Sequence, residues 1–336
     1  MNLAKLSAIA ASMVLPLAAQ AQAAAAVPSD PVSIVNLFES LGGKHEGYRR
    51  SGAKGVCAMG EFVGTPAAQA LSSASVFSGK PIPVMVRFST GGGNPNAPDN
   101  TKSQRNLSLQ FNLPDGERWM MGNISAPVFG SSSPQQMMTG LLARQPDPVT
   151  KLPNPAKVKA YTDANPEVLL QGKYYASQPV PASYASVNYW GVHAHGFTNA
   201  AGQTQFGKWI FEPAAGLEGL SDDEAKAKGP SFLFDDVRQR VKAGKVAFNF
   251  NLELAQAGDV LDNATIALPP GRTKVNLGTL KVTSVSDDSG GACVTINFNP
   301  MVMPKGVVAS ADPMMPARAA PYAVSLGRRL GEGAKQ

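Results

Sequence analysis

The class of fold is predicted by the stretch Asn106-Leu-Ser-Leu-Gln-Phe-Asn-Leu-Pro-Asp-Gly-Glu-Arg-Trp-Met-Met-Gly-Asn-Ile124. Its first eight residues alternate between polar and apolar side chains, which is typical of a strand with one buried face. Pro114-Asp115-Gly116 is a turn sequence, and the residues from Glu117 to Ile124 then supply the partner strand. The stretch therefore predicts a hairpin of an antiparallel sheet.

Similar strand patterns recur along the chain, at residues 83–90, 189–197, 205–211, 246–254 and 275–283. Apolar residues at helical spacing and capping sequences predict helices at residues 32–41, 133–144 and 221–241. The order of these elements predicts an α+β fold. Its core is an antiparallel β structure that closes on itself, with helices inserted in one connection and late in the chain.

Near the end of the sequence, Arg318 and Tyr322 stand four residues apart, so that on a helix their side chains share one face. Pro321 counts against an uninterrupted helix there. A guanidinium that donates to a phenol oxygen favours the phenolate, and tyrosine is one of the known axial ligands of haem iron. The alternative is an ordinary stacked Arg–Tyr pair on a terminal helix, and spacing alone favours that alternative.

The first residues have the pattern of a secretory signal peptide: a positive start with Lys5, an apolar run and the small-residue site Ala21-Gln-Ala23. We therefore predict a signal peptide at residues 1–23 and a single domain at residues 24–336. A membrane anchor is the weaker alternative because the run is short and rich in alanine, and no other apolar stretch is long enough to span a bilayer.

The charge and cysteine content exclude some functions. The formal net charge of +6 falls to +5 when the leader with its one lysine is removed, and no basic run of the kind that tracks phosphates remains, so nucleic-acid binding is not expected. The two cysteines, Cys57 and Cys293, are far apart. An oxidising compartment would permit a disulfide, but the sequence gives no reason to bring them together, and burial is the usual fate of a lone cysteine.

Five motifs resemble those of the haem catalases and occur in the same order over nearly all of the mature chain. They are Arg49-x-x-x-Ala-Lys-Gly55, Val86-Arg-Phe-Ser-Thr90, Pro127-Val-Phe129, Tyr189-x-Gly-Val-His193 and Arg318-x-x-x-Tyr322. The sequence is shorter than ordinary catalases, so we expect it to lack their long N-terminal arm and C-terminal helical domain, and it is most similar to the small catalase-related peroxidases of bacteria. The resemblance implies an eight-stranded antiparallel β-barrel with haem b beside it. Together with the leader it implies a periplasmic location.

The resemblance also implies roles for residues on the proximal side of the haem. Tyr322 would be the axial ligand of the haem iron, and Arg318 would pair with its phenolate. Asp312 and His193 match the groups that support that arginine. The haem propionates would be held by three arginines from distant segments, Arg49, Arg87 and Arg329.

The distal side departs from the family pattern. Gly52 stands where catalases carry the histidine that takes a proton from one peroxide oxygen and returns it to the other. Ser89 matches the residue that orients that histidine. The distal asparagine of the family is matched by Ser125 without a gap, or by Asn123 with a shift. Asn123, Ser125 and Ser89 are thus the candidate distal residues.

Two further substitutions predict a stripped and enlarged distal side. The channel valine of the family is Gly91 here, and the phenylalanine that packs on the haem is Met137. His45 could approach the site only if its segment folds back. We interpret both His45 and His195 as ordinary loop or strand histidines.

Three functions are compatible with these residues. The first is a periplasmic haem b peroxidase that reduces organic or hydrogen peroxides, with weak or no catalase activity because the distal base is missing. The alternative is a non-catalytic haem-binding catalase homologue. A third possibility is the rearrangement of fatty-acid hydroperoxides without an external reductant. The sequence does not identify the electron donor, and a monomer or dimer is expected.

Overall fold

The computed structural model describes residues 30–286 and 291–333, so the predicted signal peptide at residues 1–23 lies outside the described residues. The strands are β1 Gly55–Gly64, β2 Ile82–Thr90, β3 Arg105–Asn112, β4 Arg118–Ile124, β5 Val180–Pro181, β6 Tyr189–Thr198, β7 Thr204–Pro213, β8 Gly219–Leu220, β9 Ala247–Leu254, β10 Lys274–Val285 and β11 Val307–Ala309. The α-helices are α1 Pro31–Gly42, α2 Pro66–Leu71, α3 Pro134–Ala143, α4 Pro155–Ala164, α5 Leu170–Ser177, α6 Asp222–Ala227, α7 Phe232–Lys242, α8 Met314–Ala317 and α9 Ala319–Gly331.

Eight strands close into an antiparallel barrel, which confirms the predicted fold class. Their order around the barrel is β6-β4-β3-β2-β1-β10-β9-β7, and pairing of β7 with β6 closes the ring. The hairpin of β3 and β4 lies where the sequence predicts it, with Asn106 opposite Ile124. The short strand β11 adds to β6 outside the ring, and β5 pairs with β8.

The barrel interior is filled with aromatic side chains. Trp119, Phe111 and Phe250 are fully buried, and the ring of Trp119 lies 5.7 Å from Phe111 and 6.0 Å from Phe250 between centroids. Each buried ring contributes about 1.5–3 kcal/mol relative to an exposed one. Since the interior is packed, a large ligand has to bind outside the barrel, where helices cover strands β2 to β4.

Two regions differ from the predicted helices. The helix expected over residues 221–241 is two helices, α6 and α7, because Gly229-Pro230 lies between them and proline removes a backbone donor. Helices α4 and α5 occupy a segment for which the sequence analysis predicts no helix or strand. Asn154 caps α4 with its side chain, and Pro155 occupies the first helical position. None of the helices in residues 30–286 and 291–333 is both long and apolar enough to cross a bilayer.

Cys57 and Cys293, which nothing in the sequence brings together, form a disulfide across 236 positions of sequence. Cys57 lies on β1, and Cys293 lies in the segment that follows β10. Both side chains are buried, at 2% and 0% exposure. The disulfide therefore fixes the segment around Cys293 against the outer face of the barrel.

Candidate active site

A large pocket lies between the outer face of strands β2 to β4 and the helices α1, α3 and α9. Its empty space, including the open mouth, is about 1340 Å³. Apolar side chains such as Phe38, Met137 and Leu326 form much of its wall.

One wall carries Tyr322, whose phenol is held by the arginine one turn before it. Arg318 lies at the junction of α8 and α9, and its Nη2 donates to the Tyr322 hydroxyl oxygen at 2.5 Å. Pro321 does not break the helix because it is the third residue of α9, where the backbone nitrogen needs no helical partner. The predicted pairing of Arg318 and Tyr322 on one face is therefore present.

The guanidinium of Arg318 is in turn supported from the barrel. Its Nη1 lies 3.3 Å from Nε2 of His193, and Nδ1 of His193 lies 2.8 Å from Oδ2 of Asp312. Burial lowers the pKa of His193, against the opposing effect of its hydrogen bond to Asp312. A neutral imidazole that accepts from Arg318 must donate from Nδ1 to Asp312. Phenol, guanidinium, imidazole and carboxylate thus form one chain with a single consistent set of donors.

Three more arginines predicted to act in binding line the same pocket, and each donates to neutral carbonyl oxygens only. The contacts are Arg49 to Cys293 at 2.7 Å, Arg87 to Ala53 at 3.3 Å, and Arg329 to Val294 at 2.6 Å and Ile296 at 3.3 Å. Within residues 30–286 and 291–333, none of the three forms an ion pair with a carboxylate. Arg87 and Arg329 are also 2% and 1% exposed.

Arg87 and Arg329 carry an uncompensated positive charge. Burial, and for Arg87 the repulsion of Arg329, lowers the pKa of Arg87 to about 10. Burial and the charge of Arg50 lower the pKa of Arg329 to about 10 as well. Both groups therefore remain charged at neutral pH, and each has a buried Nε without a hydrogen-bond partner. Buried charges of one sign are costly unless an opposite charge is supplied, so the cluster fits a ligand with carboxylates.

Local sequence explains how these arginines are placed. Gly55 leaves room for Arg87, since a Cβ atom there would lie 2.4 Å from Nη2 of Arg87 and 2.7 Å from the carbonyl oxygen of Phe88. The disulfide holds the segment whose carbonyl groups receive Arg49 and Arg329. Gly55 thus makes room for the arginine cluster, and the two cysteines hold the segment that the arginines contact. Nothing local in the sequence predicts this role of the cysteines.

The opposite wall contains Gly52, in a left-handed conformation with φ of +65°. A Cβ atom there would lie 3.0 Å from Oγ of Ser89 and 3.6 Å from Nδ2 of Asn106. Ser89 accepts a hydrogen bond from Nδ2 of Asn106 at 3.0 Å, so it is not left without a partner. The space beside Gly91 is also filled, because a Cβ atom added at Gly91 would lie 2.9 Å from the side chain of Gln104. The distal side is therefore polar and only partly enlarged.

The two candidates for a distal asparagine are both engaged elsewhere. Asn123 borders the pocket, but it lies opposite Leu107 on the inward face of β4. Its amide donates to the Leu107 carbonyl at 2.9 Å and accepts from Nε1 of Trp209 at 2.7 Å. Ser125 does not line the pocket, and its hydroxyl oxygen accepts from the backbone nitrogen of Arg105 at 2.9 Å.

The sequence reading missed Asn106 and Gln104, which do line the pocket. The alternation of β3 places Asn106 on the outward face, opposite Ile124. That pattern could have identified it, but outward polar residues of a strand usually face water. Neither His45 nor His195 lines the pocket. His45 contacts the Gly42 carbonyl, and the ring of His195 lies 4.1 Å from that of Trp209.

Comparisons with known proteins agree with this arrangement. The sequence profile of the catalase family matches residues 46–336. A catalase-related peroxidase of Synechococcus elongatus is 40% identical over 305 residues, which is 91% of this chain and 90% of that protein. A catalase-related peroxidase of Mycolicibacterium paratuberculosis is 30% identical over 302 residues, which is 90% of this chain and 95% of that protein.

Solved structures show the same fold at lower identity. A fungal catalase superposes with a TM-score of 0.76 at 20% identity, over 86% of this chain and 60% of that chain. Catalase A from Saccharomyces cerevisiae superposes with a TM-score of 0.74 at 20% identity, over 89% of this chain and 64% of that chain. The chain thus spans less than two thirds of the solved catalases that it matches. By its profile match and its identity to the two shorter relatives, the chain belongs to the catalase family.

Proposed function

We propose that the protein is a haem peroxidase that reduces organic or hydrogen peroxides and has weak or no catalase activity. One observation carries the proposal. The chain Tyr322–Arg318–His193–Asp312 opens onto the same pocket as three arginines that lack a carboxylate partner. A phenol held by a guanidinium suits ferric iron, and the arginines suit the two propionates of a haem, so we propose haem b as the cofactor.

The hydrogen-bonded residues and the three arginines have separate roles in this proposed site. Arg318 donates to the Tyr322 oxygen, while His193 and Asp312 fix the guanidinium in place. Arg49, Arg87 and Arg329 would hold the propionates. When bound, haem supplies the iron that exchanges electrons with the peroxide.

Weak catalase activity is proposed because no general base lines the pocket in the described part of the protein. Among residues 30–286 and 291–333, its lining contains no histidine, carboxylate, lysine or cysteine, and Gly52 occupies the family's histidine position. General acid–base catalysis is typically worth ~10²–10⁴-fold, so the dismutation of hydrogen peroxide should be slower by at least that factor.

We also propose that the protein acts in the periplasm. The leader pattern of residues 1–23 supports export. The buried disulfide between Cys57 and Cys293 supports an oxidising compartment, because such bonds are rare in the cytosol of mesophiles.

The test uses purified protein reconstituted with haem. We expect oxidation of a phenolic electron donor that depends on tert-butyl hydroperoxide, and oxygen release from hydrogen peroxide at least ~100-fold slower than that of an ordinary catalase. Tyr322→Phe should abolish the oxidation, whereas Tyr174→Phe, a change of the same kind outside the pocket, should not. Haem binding that depends on Tyr322 without any peroxide reduction would favour a haem-binding protein instead. Conversion of a lipid hydroperoxide without a donor would favour rearrangement.

A further inference from the structure

We propose that this site takes its peroxide as the anion, held by hydrogen-bond donors from Ser89 and Asn106, and that peroxy acids are therefore its preferred substrate class. The inference rests on the proposed function and adds to it the substrate and the residues that position it.

None of the described side chains that line the pocket can remove a proton from a neutral peroxide. The titratable side chains of its lining are Arg49, Arg50, Arg87, Arg318, Arg329 and Tyr322. Guanidinium groups stay protonated, and the Tyr322 oxygen already receives the hydrogen bond of Arg318. A neutral peroxide therefore has to lose its proton to solvent before it can react as an anion.

The charged groups immediately behind the lining are also occupied. Arg50 pairs with Glu39 at 2.6 Å and with Glu332 at 2.7 Å, so these carboxylates are not available to a peroxide. The Nε2 atom of His193 lies 3.3 Å from Nη1 of Arg318. His45 is held by the Gly42 carbonyl at 3.2 Å and does not line the pocket.

A chain of hydrogen bonds leads to the pocket, and in each bond the donor is the group farther from Ser89. Tyr175 donates to Oε1 of Gln104 at 3.2 Å, and Nε2 of Gln104 donates to Oδ1 of Asn106 at 2.6 Å. Nδ2 of Asn106 then donates to Ser89 at 3.0 Å. Burial raises the pKa of Tyr175, so its hydroxyl keeps its proton and the direction of the chain is fixed.

The chain ends with two donors that have no acceptor in the described part of the protein. One is the hydroxyl proton of Ser89, and the other is the second amide proton of Asn106. Both side chains line the pocket beside Gly52. Hydrogen-bond donors that line a pocket stabilise an anion bound there, and the neighbouring guanidinium group of Arg87 acts in the same direction. Asn106 is thus a positioning residue for an anionic oxidant, with Gln104 and Tyr175 fixing its orientation.

Peroxy acids suit a site that can neither remove a proton from a peroxide nor return one to the leaving group. They are stronger acids than alkyl hydroperoxides or hydrogen peroxide, so a larger fraction is ionised near neutral pH. When their O–O bond breaks, the leaving group is a carboxylate, which needs no proton from the protein. The other oxygen takes two electrons and two protons from two phenolic donor molecules. The balance is RCO₃⁻ + 2 AH → RCO₂⁻ + H₂O + 2 A•.

The experiment measures second-order rate constants of the haem-loaded protein with peracetic acid and with tert-butyl hydroperoxide, as a function of pH. At neutral pH we expect peracetic acid to react at least ~100-fold faster, because a larger fraction of it is already ionised and its carboxylate leaving group needs no proton, which are the two steps that acid–base catalysis supplies. The rate with tert-butyl hydroperoxide should rise about tenfold per pH unit, following its ionised fraction. Comparable rates at neutral pH, or a bell-shaped profile centred near neutrality, would overturn the inference.

Two sets of variants separate the positioning role from a structural one. Asn106→Leu should lower the rate with peracetic acid by about 10–100-fold, the usual effect of losing a hydrogen bond to a charged group, with the visible spectrum unchanged. The matched control is Asn112→Leu, the same change on the same strand outside the pocket, which should leave the rate unchanged. Gly52→His should remove the pH slope with tert-butyl hydroperoxide, while Gly52→Asn, which tolerates the left-handed backbone but is no base, should keep it.

Failure of the inference is distinguishable from failure of the proposed function. If the haem-loaded protein uses tert-butyl hydroperoxide efficiently at neutral pH, or if Asn106→Leu matches the wild type, only the inference is wrong. If neither peroxide reacts, both are wrong.

Discussion

The arginine cluster makes a quantitative prediction about the ligand. Haem carries two propionates, and its dimethyl ester has the same ring without their charges. Arg49, Arg87 and Arg329 have no carboxylate partner among the described residues, and hydrogen bonds to charged groups are worth about 1.5–3 kcal/mol each. Losing one such bond at each of two carboxylates therefore costs about 3–6 kcal/mol, or ~10²–10⁴-fold in affinity.

The assay is a titration of the apoprotein with haem and with its dimethyl ester, followed by the Soret absorbance. We expect haem to bind more tightly by the factor above. Arg329→Gln should reduce that preference by about tenfold or more. Arg328→Gln is the matched control, because Arg328 lies next in sequence but pairs with Glu39 and with Asn36 outside the pocket. Equal affinities for haem and ester in the wild type would refute the assignment of the arginines to carboxylates.

Further predictions concern stability and backbone space. Replacing Cys57 and Cys293 together with alanine should lower the free energy of unfolding by about 2–5 kcal/mol, measured by urea denaturation, because the disulfide spans 236 positions. Gly55→Ala should lower haem affinity more than about tenfold, since its methyl group would lie 2.4 Å from a guanidinium nitrogen, whereas Gly172→Ala has nothing within 4 Å and should have no effect. Burial lowers the pKa of His195 to about 3, so the unfolded chain binds the extra proton and stability falls as the pH falls from about 6.5. His195→Asn should reduce the slope of unfolding free energy between about pH 6 and pH 4 by ~1.4 kcal/mol per pH unit, and an unchanged slope would contradict this reasoning.

Local sequence patterns predicted most of the barrel and the wall that carries Tyr322. The alternation of polar and apolar residues predicted the strands, because apolar side chains at every second position have to face one core. The four-residue spacing of Arg318 and Tyr322 placed both on one turn of helix, and the side chains do meet. Pro321 was compatible with that helix because its position lies in the first turn, where proline removes no hydrogen bond.

What the sequence did not predict depends on contacts between distant segments. Nothing local relates Cys57 to Cys293, because only the closed barrel brings β1 and the segment after β10 together. The distal wall depends on strand register, which turns Asn123 inward to Trp209 and leaves Asn106 facing the pocket. The motif around Pro127 left Asn123 and Ser125 as alternatives two residues apart, and only the pairing of β4 with its neighbours shows that Asn123 faces inward.

The central claim is that the Tyr322 oxygen, held by Arg318, is the ligand of a ferric haem. The most direct measurement is the optical spectrum of the haem-loaded protein beside that of Tyr322→Phe. We predict that the wild type shows the absorption of a phenolate bound to ferric iron. In the variant that absorption should be lost, and haem should be retained more weakly. Identical spectra and equal haem retention in the two proteins would contradict the account.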